Sequence, residues 1–297
     1  MGRAHRGGTD GDPVARALRQ GFRSPHDRHD DGLTERRGGG GGGARPLAPQ
    51  RLSALVVVHD EAGQLAECLE RLRFADEIVV VLDRCTDASR DIAARFTDRL
   101  IEGGWEREGD RRNTGIDSCA GDWILEVDAD ERVPPDLAAE IRATIAGSLH
   151  SWHEIPVDNY VGDHLVRWGW SSFGKGAYAG LFRKGAKRWG PQRVHPALTF
   201  SGRKGPALTA RLDHHVDRNL SDMIQRLDRY TTARARDLRE SGDIGAYGAN
   251  LRRIVTRFWK AYVTRKGYRE GPYGFVIALC AGLYPILSYL KARLEKE

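Results

Sequence analysis

Three short apolar runs, each closing on charged residues, set the frame of this chain. Leu52, Ala54, Leu55, Val56, Val57 and Val58 lead into His59-Asp60-Glu61, Ile78 to Leu82 lead into Asp83, and Trp123 to Val127 lead into Asp128. Continuous apolar strands with polar ends suit a parallel sheet covered on both faces. Between these runs the period lengthens. Leu65, Leu69 and Leu72 share one helical face, with Asp60 or Glu61 supplying acid near the first turn. Ile92 and Phe96 repeat at i, i+4 behind a cap at Thr86 or Asp87, Ile101 sits in a short hydrophobic stretch, and Arg107 to Cys119 reads as a helix closed by Gly121. A further helix over 134–147 has Pro134 and Pro135 near its start and Leu137, Ile141 and Ile145 on one stripe. From residue 51 to about 130 the alternation predicts an α/β fold of right-handed βαβ units, whose ligands belong beyond the C-terminal strand ends.

Asp60, Asp83 and Asp128 occupy such ends, so three separated motifs converge on one crevice. Asp128 and Asp130 follow their strand one residue apart, an arrangement suited to holding a hard divalent cation, Mn²⁺ or Mg²⁺, against phosphates. An isolated Asp-x-Asp usually just begins a solvated turn; the two companion motifs favour the site.

Four segments carry a specific resemblance. They are Leu55-Val56-Val57-Val58-His59-Asp60-Glu61, Asp76-Glu77-Ile78-Val79-Val80-Val81-Leu82-Asp83, Arg112-Asn113-Thr114-Gly115 and Gly121-Asp122-Trp123-Ile124-Leu125-Glu126-Val127-Asp128-Ala129-Asp130-Glu131. In order and spacing they resemble the motifs of family 2 glycosyltransferases, in the branch of lipopolysaccharide core and other cell-envelope transferases. The resemblance runs over about residues 50 to 290. It implies a GT-A fold with a mostly parallel central sheet, a nucleotide-diphosphate sugar as donor, a divalent metal, inversion at the anomeric carbon, and a glycan or lipid-linked acceptor. By the same resemblance Asp60 and Glu61 lie near the nucleobase and ribose, Asp83 contacts the donor nucleoside, Arg112 and Asn113 face the donor site, and Asp128 and Asp130 form the metal motif. His59 stands where the family usually has Asn, and Arg84 and Cys85 where it has Ser or Gly; these departures leave the donor base and sugar open.

A nucleoside diphosphate is a good leaving group once its charge is neutralised, so such a transferase needs a metal or cationic side chains more than a general acid. This separates it from a glycosidase, whose alcohol leaving group calls for a carboxylic acid. An inverting displacement also needs a base near the acceptor hydroxyl. The resembling branch has Val-His-Glu where this chain has Val194-His195-Pro196, and proline can neither take a proton nor donate a backbone N–H. His195 is the first replacement candidate, with a reference pKa near 6.5. Asp213, Asp217 and Glu131 are the others, and slow or absent transfer is the remaining reading. His214 and His215 repeat a second feature of the family, a late histidine that completes the metal shell; imidazole serves Mn²⁺ better than Mg²⁺.

Between the metal strand and Val194 the chain is rich in aromatic residues, Trp168, Trp170, Phe173, Tyr178 and Trp189 among them, which stack on sugars or build ordinary cores. Residues 51–217 read as the catalytic domain, with the donor half at 51–131 and the acceptor half at 132–217. Residues 1–50, with a glycine run from Gly38 to Gly43 and few large apolar side chains, read as disordered.

Residues 218–297 read as a helical appendage. A helix over 218–240 carries Leu220, Ile224, Leu227 and Tyr230 on a stripe; a second spans 249–266; Pro272 to Leu290 then runs nineteen positions without a charge, interrupted by Gly274, Gly282 and Pro285. From Leu251 to Glu297 ten Lys or Arg face three Glu, a net of +7 where the whole chain carries +6. Cations beside an apolar face suit an anionic membrane surface at the cytoplasmic leaflet; burial against the catalytic domain, or against a second copy in a homodimer, is the other reading. Cys68, Cys85, Cys119 and Cys280 form no zinc or redox motif and read as free thiols. A nucleic-acid binder fits the basic balance but not the four aspartates. A nucleotidyltransferase would carry a Gly-rich basic loop where this chain has His59-Asp60-Glu61-Ala62-Gly63.

Overall fold

The computed structural model describes residues 49–170, 176–191 and 196–295. Its centre is a mixed sheet of nine strands in the order β3-β2-β1-β4-β8-β6-β11-β5, with β7 paired to β6. The three apolar runs form β1 (Leu52–Val58), β2 (Glu77–Asp83) and β4 (Trp123–Asp128), and Ile101 lies in β3 (Leu100–Gly103). These four strands are mutually parallel. Pairing of Val58 with Leu82 and of Val57 with Asp128 puts the three acidic ends at one edge. The helices between them are α1 (Ala62–Glu70), α2 (Ser89–Ala93) and α3 (Glu108–Ser118). The predicted second helix is shorter than its i, i+4 pair suggested, since Phe96 falls beyond its end.

Both faces of β1 are covered. Leu52, Ala54, Val56 and Val58 pack with Leu65, Leu69 and Leu72, while Leu55 packs on the other face with Val79, Val81 and Ile116. Gly115 lets α3 settle directly on that second face, because a Cβ there would lie 2.5 Å from Leu55 Cδ1. Gly121 does not close α3 as a left-handed cap. It leaves room for Ser53, whose Oγ accepts its N–H at 2.8 Å.

After β4 come β5 (Glu131–Arg132) and α4 (Pro135–Gly147), which buries the expected Leu137, Ile141 and Ile145. The sheet is completed by β6 (Trp152–Val161), β7 (His164–Val166), β8 (Ala177–Arg183) and β11 (Leu212–Asp217); β9 (Lys187–Trp189) and β10 (Leu198–Phe200) form a separate antiparallel pair. β8 pairs antiparallel with both β4 and β6, and β6 then pairs with β11 in parallel. This is the mixed, mostly parallel sheet of the GT-A fold.

A distinct helical bundle follows. It consists of α5 (Leu220–Ser241), α6 (Tyr247–Trp259) running into a π-helical turn at Lys260–Thr264, a 3₁₀ turn at Gly267–Glu270, and α7 (Gly271–Leu294). Of the stripe predicted on α5 only Leu227 is buried. Leu220, Ile224 and Tyr230 stay exposed, whereas Met223, Leu227, Thr231 and Ala235 are covered. Small side chains at 231 and 235 add little to a hydrophobic pattern yet let a neighbouring helix approach. α7 is continuous through Pro285, and its Gly282 allows contact with α6, a Cβ there lying 2.8 Å from the Ile254 carbonyl oxygen. The segment 267–294 is the one described stretch long and apolar enough to cross a bilayer, and 56% of its most apolar window is buried within the protein.

Candidate active site

A cleft of about 710 Å³ opens at the acidic strand edge. It gathers Asp60, Glu61, Asp128, Asp130, His214, His215 and Asp217 from the expected set, together with His59.

Asp130 and His214 meet through the strand that follows the Asp-x-Asp turn. β5 pairs antiparallel with β11, aligning Glu131 with His214, and the His215 N–H donates to the Asp130 carbonyl at 2.9 Å. His214 Nε2 lies 3.2 Å from Asp130 Oδ2, and its Nδ1 lies 2.9 Å from Asn159 Oδ1. The amide oxygen can only accept, so Nδ1 carries hydrogen and Nε2 is turned toward the carboxylate. The second carboxylate oxygen, Asp130 Oδ1, is buried without a hydrogen-bond partner. A buried acceptor of this kind is costly unless a cation or donor meets it.

Among the described residues no three His, Cys, Asp or Glu side chains form a preassembled metal cage. The residues nevertheless fit a hard cation that takes most of its shell from substrate: one or two carboxylates plus phosphate oxygens and water is the usual arrangement for Mg²⁺. Asp130, His214 and Asp128 are the groups that would hold it.

Asp128 is held from three sides. Its Oδ1 accepts from Arg112 at 3.0 Å, its N–H donates to Glu131 Oε2 at 2.8 Å, and its carbonyl accepts the Cys68 thiol. Arg112 itself does not line the cleft. It is largely buried, pairing with Glu108, Glu126 and Asp128, and it lies over the Trp189 ring. Glu126 also accepts from Lys187 at 2.7 Å, with both side chains 2% exposed. Burial would raise Glu126, but Lys187 and Arg112 together hold its carboxyl below the ordinary range. Asn113 likewise faces inward, clamping the Trp189 backbone through both its amide groups.

Glu131 is fully buried and shapes the turn. Asp60 adopts a left-handed backbone, φ 55°, and its carboxylate accepts the Thr86 and Asp87 N–H groups while Asp87 accepts that of Ala62. The two loops after β1 and β2 are thereby tied together. Asp83 is buried; desolvation is outweighed by the Trp105 N–H, Arg84 and Arg111, which lower its pKa. The Asp83 carbonyl also lies 2.6 Å from His59 Nδ1. Asp213 does not line the cleft, although it comes close to Tyr160, whose ring stacks on His215 at 5.3 Å. His195 lies outside the described residues, as do Phe173 and residues 1–48; Pro196 is described and half-buried.

Asp217 stands apart from the other carboxylates. It is 4% exposed, accepts from Arg226 at 2.6 Å, and is lifted to about 6, chiefly by burial, with Arg226 opposing. Arg226 belongs to α5, which also gives the cleft Asp222, Gln225, Arg229 and Tyr230, while Arg218 enters from just before the helix. The apolar stripe on this helix gives no hint of the polar residues among them. The signal was present as Arg226 and Arg229, three apart and so on one face. The expected boundary at residue 217 therefore falls within the cleft lining.

A mostly parallel sheet of this topology, with acidic residues at its strand ends lining one cleft, places the fold in the GT-A class. Residues 53–186 match Glycosyl transferase family 2, and this segment is a glycosyltransferase domain of that family. Over 254 residues the chain is 24% identical to the lipopolysaccharide core biosynthesis glycosyltransferase LpsC of Rhizobium meliloti, covering 81% of this chain and 91% of that one. It is 29% identical to an uncharacterized glycosyltransferase of Rickettsia felis over 33% of this chain and 35% of that one. A crystal structure of S. aureus TarS superposes with a TM-score of 0.42 at 15% identity, covering 56% of this chain and 60% of that one.

Proposed function

We propose that the protein is an inverting, metal-assisted glycosyltransferase that moves a sugar from a nucleotide-diphosphate donor to a cell-envelope glycan or lipid-linked acceptor. The observation that carries this reading is the meeting of Asp130, its buried Oδ1 unpartnered, with His214 in a cleft also lined by Arg218, Arg226 and Arg229. Mn²⁺ or Mg²⁺ bound at Asp130, His214 and Asp128 would neutralise charge on the departing diphosphate. Arg112 keeps Asp128 oriented, and the α5 arginines place positive charge where the diphosphate charge develops. Asp60, Glu61 and Asp83 organise the loops that receive the nucleoside. Among the described candidates for the base, Asp217 has the best supported geometry. It lines the cleft, and a carboxylate lifted to about 6 takes a proton from a sugar hydroxyl more readily than an ordinary aspartate while staying mostly ionised at neutral pH.

Residues 51–217 carry most of this chemistry, and the bundle attaches the enzyme peripherally to an anionic membrane surface. On α6 and its extension Leu251, Val255, Trp259 and Val263, spaced four apart, are 47%, 68%, 61% and 36% exposed. Arg252 and Lys260 flank them, a combination suited to the interface of an anionic leaflet.

Incubating the protein with a panel of nucleotide sugars, Mn²⁺ or Mg²⁺ and a membrane extract tests the activity. Nucleoside diphosphate release that requires acceptor is expected. Release independent of acceptor would mean hydrolysis only, and no release with any donor would contradict the proposal.

A further inference from the structure

A second cleft of about 700 Å³ draws on β6 and on the segment that follows β7. Its charged lining is mostly cationic, with Arg167, Arg211 and Arg265 against Asp158. Arg211 and Asp158 offset one another at 2.6 Å, which leaves Arg167 and Arg265 as the excess. Trp168 and Trp170 add aromatic surface, and the Trp168 ring lies within 5.2 Å of Lys266 and 5.1 Å of Arg269.

Several contacts tie this wall together. The Gly169 N–H donates to the Arg265 carbonyl at 3.0 Å, and Arg265 Nη1 donates to the Trp170 carbonyl at 2.6 Å. Gly169, at φ +82°, approaches Gly267 so closely that a Cβ would lie 2.9 Å from its Cα. Glu270 accepts the N–H groups of Arg167 and Trp168, each at 2.9 Å. Binding there would cost little ordering.

One hydrogen-bonded pair of side chains joins the linings of the two clefts. Asn159 lines the second, and its amide oxygen accepts from His214, which lines the first and faces Asp130.

We infer that this second cleft receives the acceptor, and that the acceptor is an anionic saccharide. Its phosphate or carboxylate meets Arg167 and Arg265, whose guanidinium forks match either group, while an apolar sugar face packs against the exposed part of Trp168. The inference rests on the transferase reading above and narrows its acceptor to a charged sugar.

Calorimetric titration of the full chain with glucose, glucose 6-phosphate, glucuronate and inorganic phosphate tests it. At least one charged sugar should bind roughly tenfold or more tighter than both glucose and inorganic phosphate, and Arg167→Gln should remove about tenfold of that affinity. The better of the two charged sugars tells phosphate from carboxylate. Charged sugars no tighter than glucose or inorganic phosphate, or affinity unchanged in Arg167→Gln, would overturn the inference. Nucleoside diphosphate binding with Mn²⁺, measured on the same samples, separates the two readings. If it persists while charged sugars fail, only the acceptor assignment falls; if the wild-type protein lacks it, the transferase reading falls.

Discussion

His214 turns its Nε2 toward Asp130 Oδ2 at 3.2 Å while Asn159 accepts from the opposite ring nitrogen at 2.9 Å. A carboxylate and an imine nitrogen face each other comfortably only with a proton or a cation between them. On the metal-assisted reading Asn159 orients the ring for the cation, and such partners typically contribute 10–100-fold, as an order of magnitude, to affinity. Asn159→Ala should weaken Mn²⁺ binding about tenfold and Asp130→Asn by more, read by Mn²⁺ paramagnetic resonance titration. Equal affinity in wild type and Asn159→Ala would remove the asparagine from this role.

The Glu126–Lys187 pair, with Arg112 attached, makes a separate stability prediction. Removing one member of a buried ion pair strands its partner, at a cost of about 3–5 kcal/mol. Lys187→Met should show a loss of that order in chemical denaturation, and adding Glu126→Gln should recover part of it. Glu126 is held below its ordinary 4.5 in the folded state, so its contribution is present above that pH and is lost as pH falls through the lower folded value. Wild-type stability should therefore drop in acid more steeply than that of the double variant.

Asp217 behaves in the opposite sense. Its folded value, about 6, lies above the ordinary 3.8, so its stabilising proton is present below 3.8 and lost as pH rises through about 6. If its carboxylate is the base, kcat/KM should climb through the same region and level off above it. Asp217→Asn should abolish that limb, and Arg226→Gln should move it to higher pH, because Arg226 favours the ionised form. A limb that survives Asp217→Asn would return the role to His195 or Asp213.

Attachment of the bundle is tested by putting charge on its exposed face. Val255→Glu with Trp259→Glu should leave the fold intact, since both side chains are more than half exposed. Co-sedimentation with vesicles containing anionic lipid should fall at least severalfold, and for the wild type it should weaken with added salt. Unchanged sedimentation, together with loss of a dimer in light scattering, would assign the face to a second copy.

The strand ends could be read from sequence because each is a local event, an apolar run meeting an acid. Asp60, Asp83, Asp128 and Asp130 follow from that alone, as do Leu137, Ile141 and Ile145 on α4. What stayed hidden depends on residues far apart in the chain. Arg112 reads as a site-facing cation until Glu126 and Asp128 are placed beside it, and Asn159 becomes meaningful only when β6 lies alongside β11. The buried face of α5 escaped because Thr231 and Ala235 carry little hydrophobic signal, while Leu220, Ile224 and Tyr230 remain outside. His214 was suggested by resemblance; its contact with Asp130 needed the pairing of β5 with β11.

The central claim, a cation at Asp130 that secures a diphosphate, is tested most directly by titrating uridine, guanosine, cytidine and thymidine diphosphates calorimetrically, with and without Mn²⁺, into wild type and Asp130→Asn. One of them should bind wild type at least about tenfold more tightly with the metal, and that gain should vanish in the variant. Diphosphate affinity indifferent to Mn²⁺ in the wild type, or a metal effect preserved in Asp130→Asn, would contradict it.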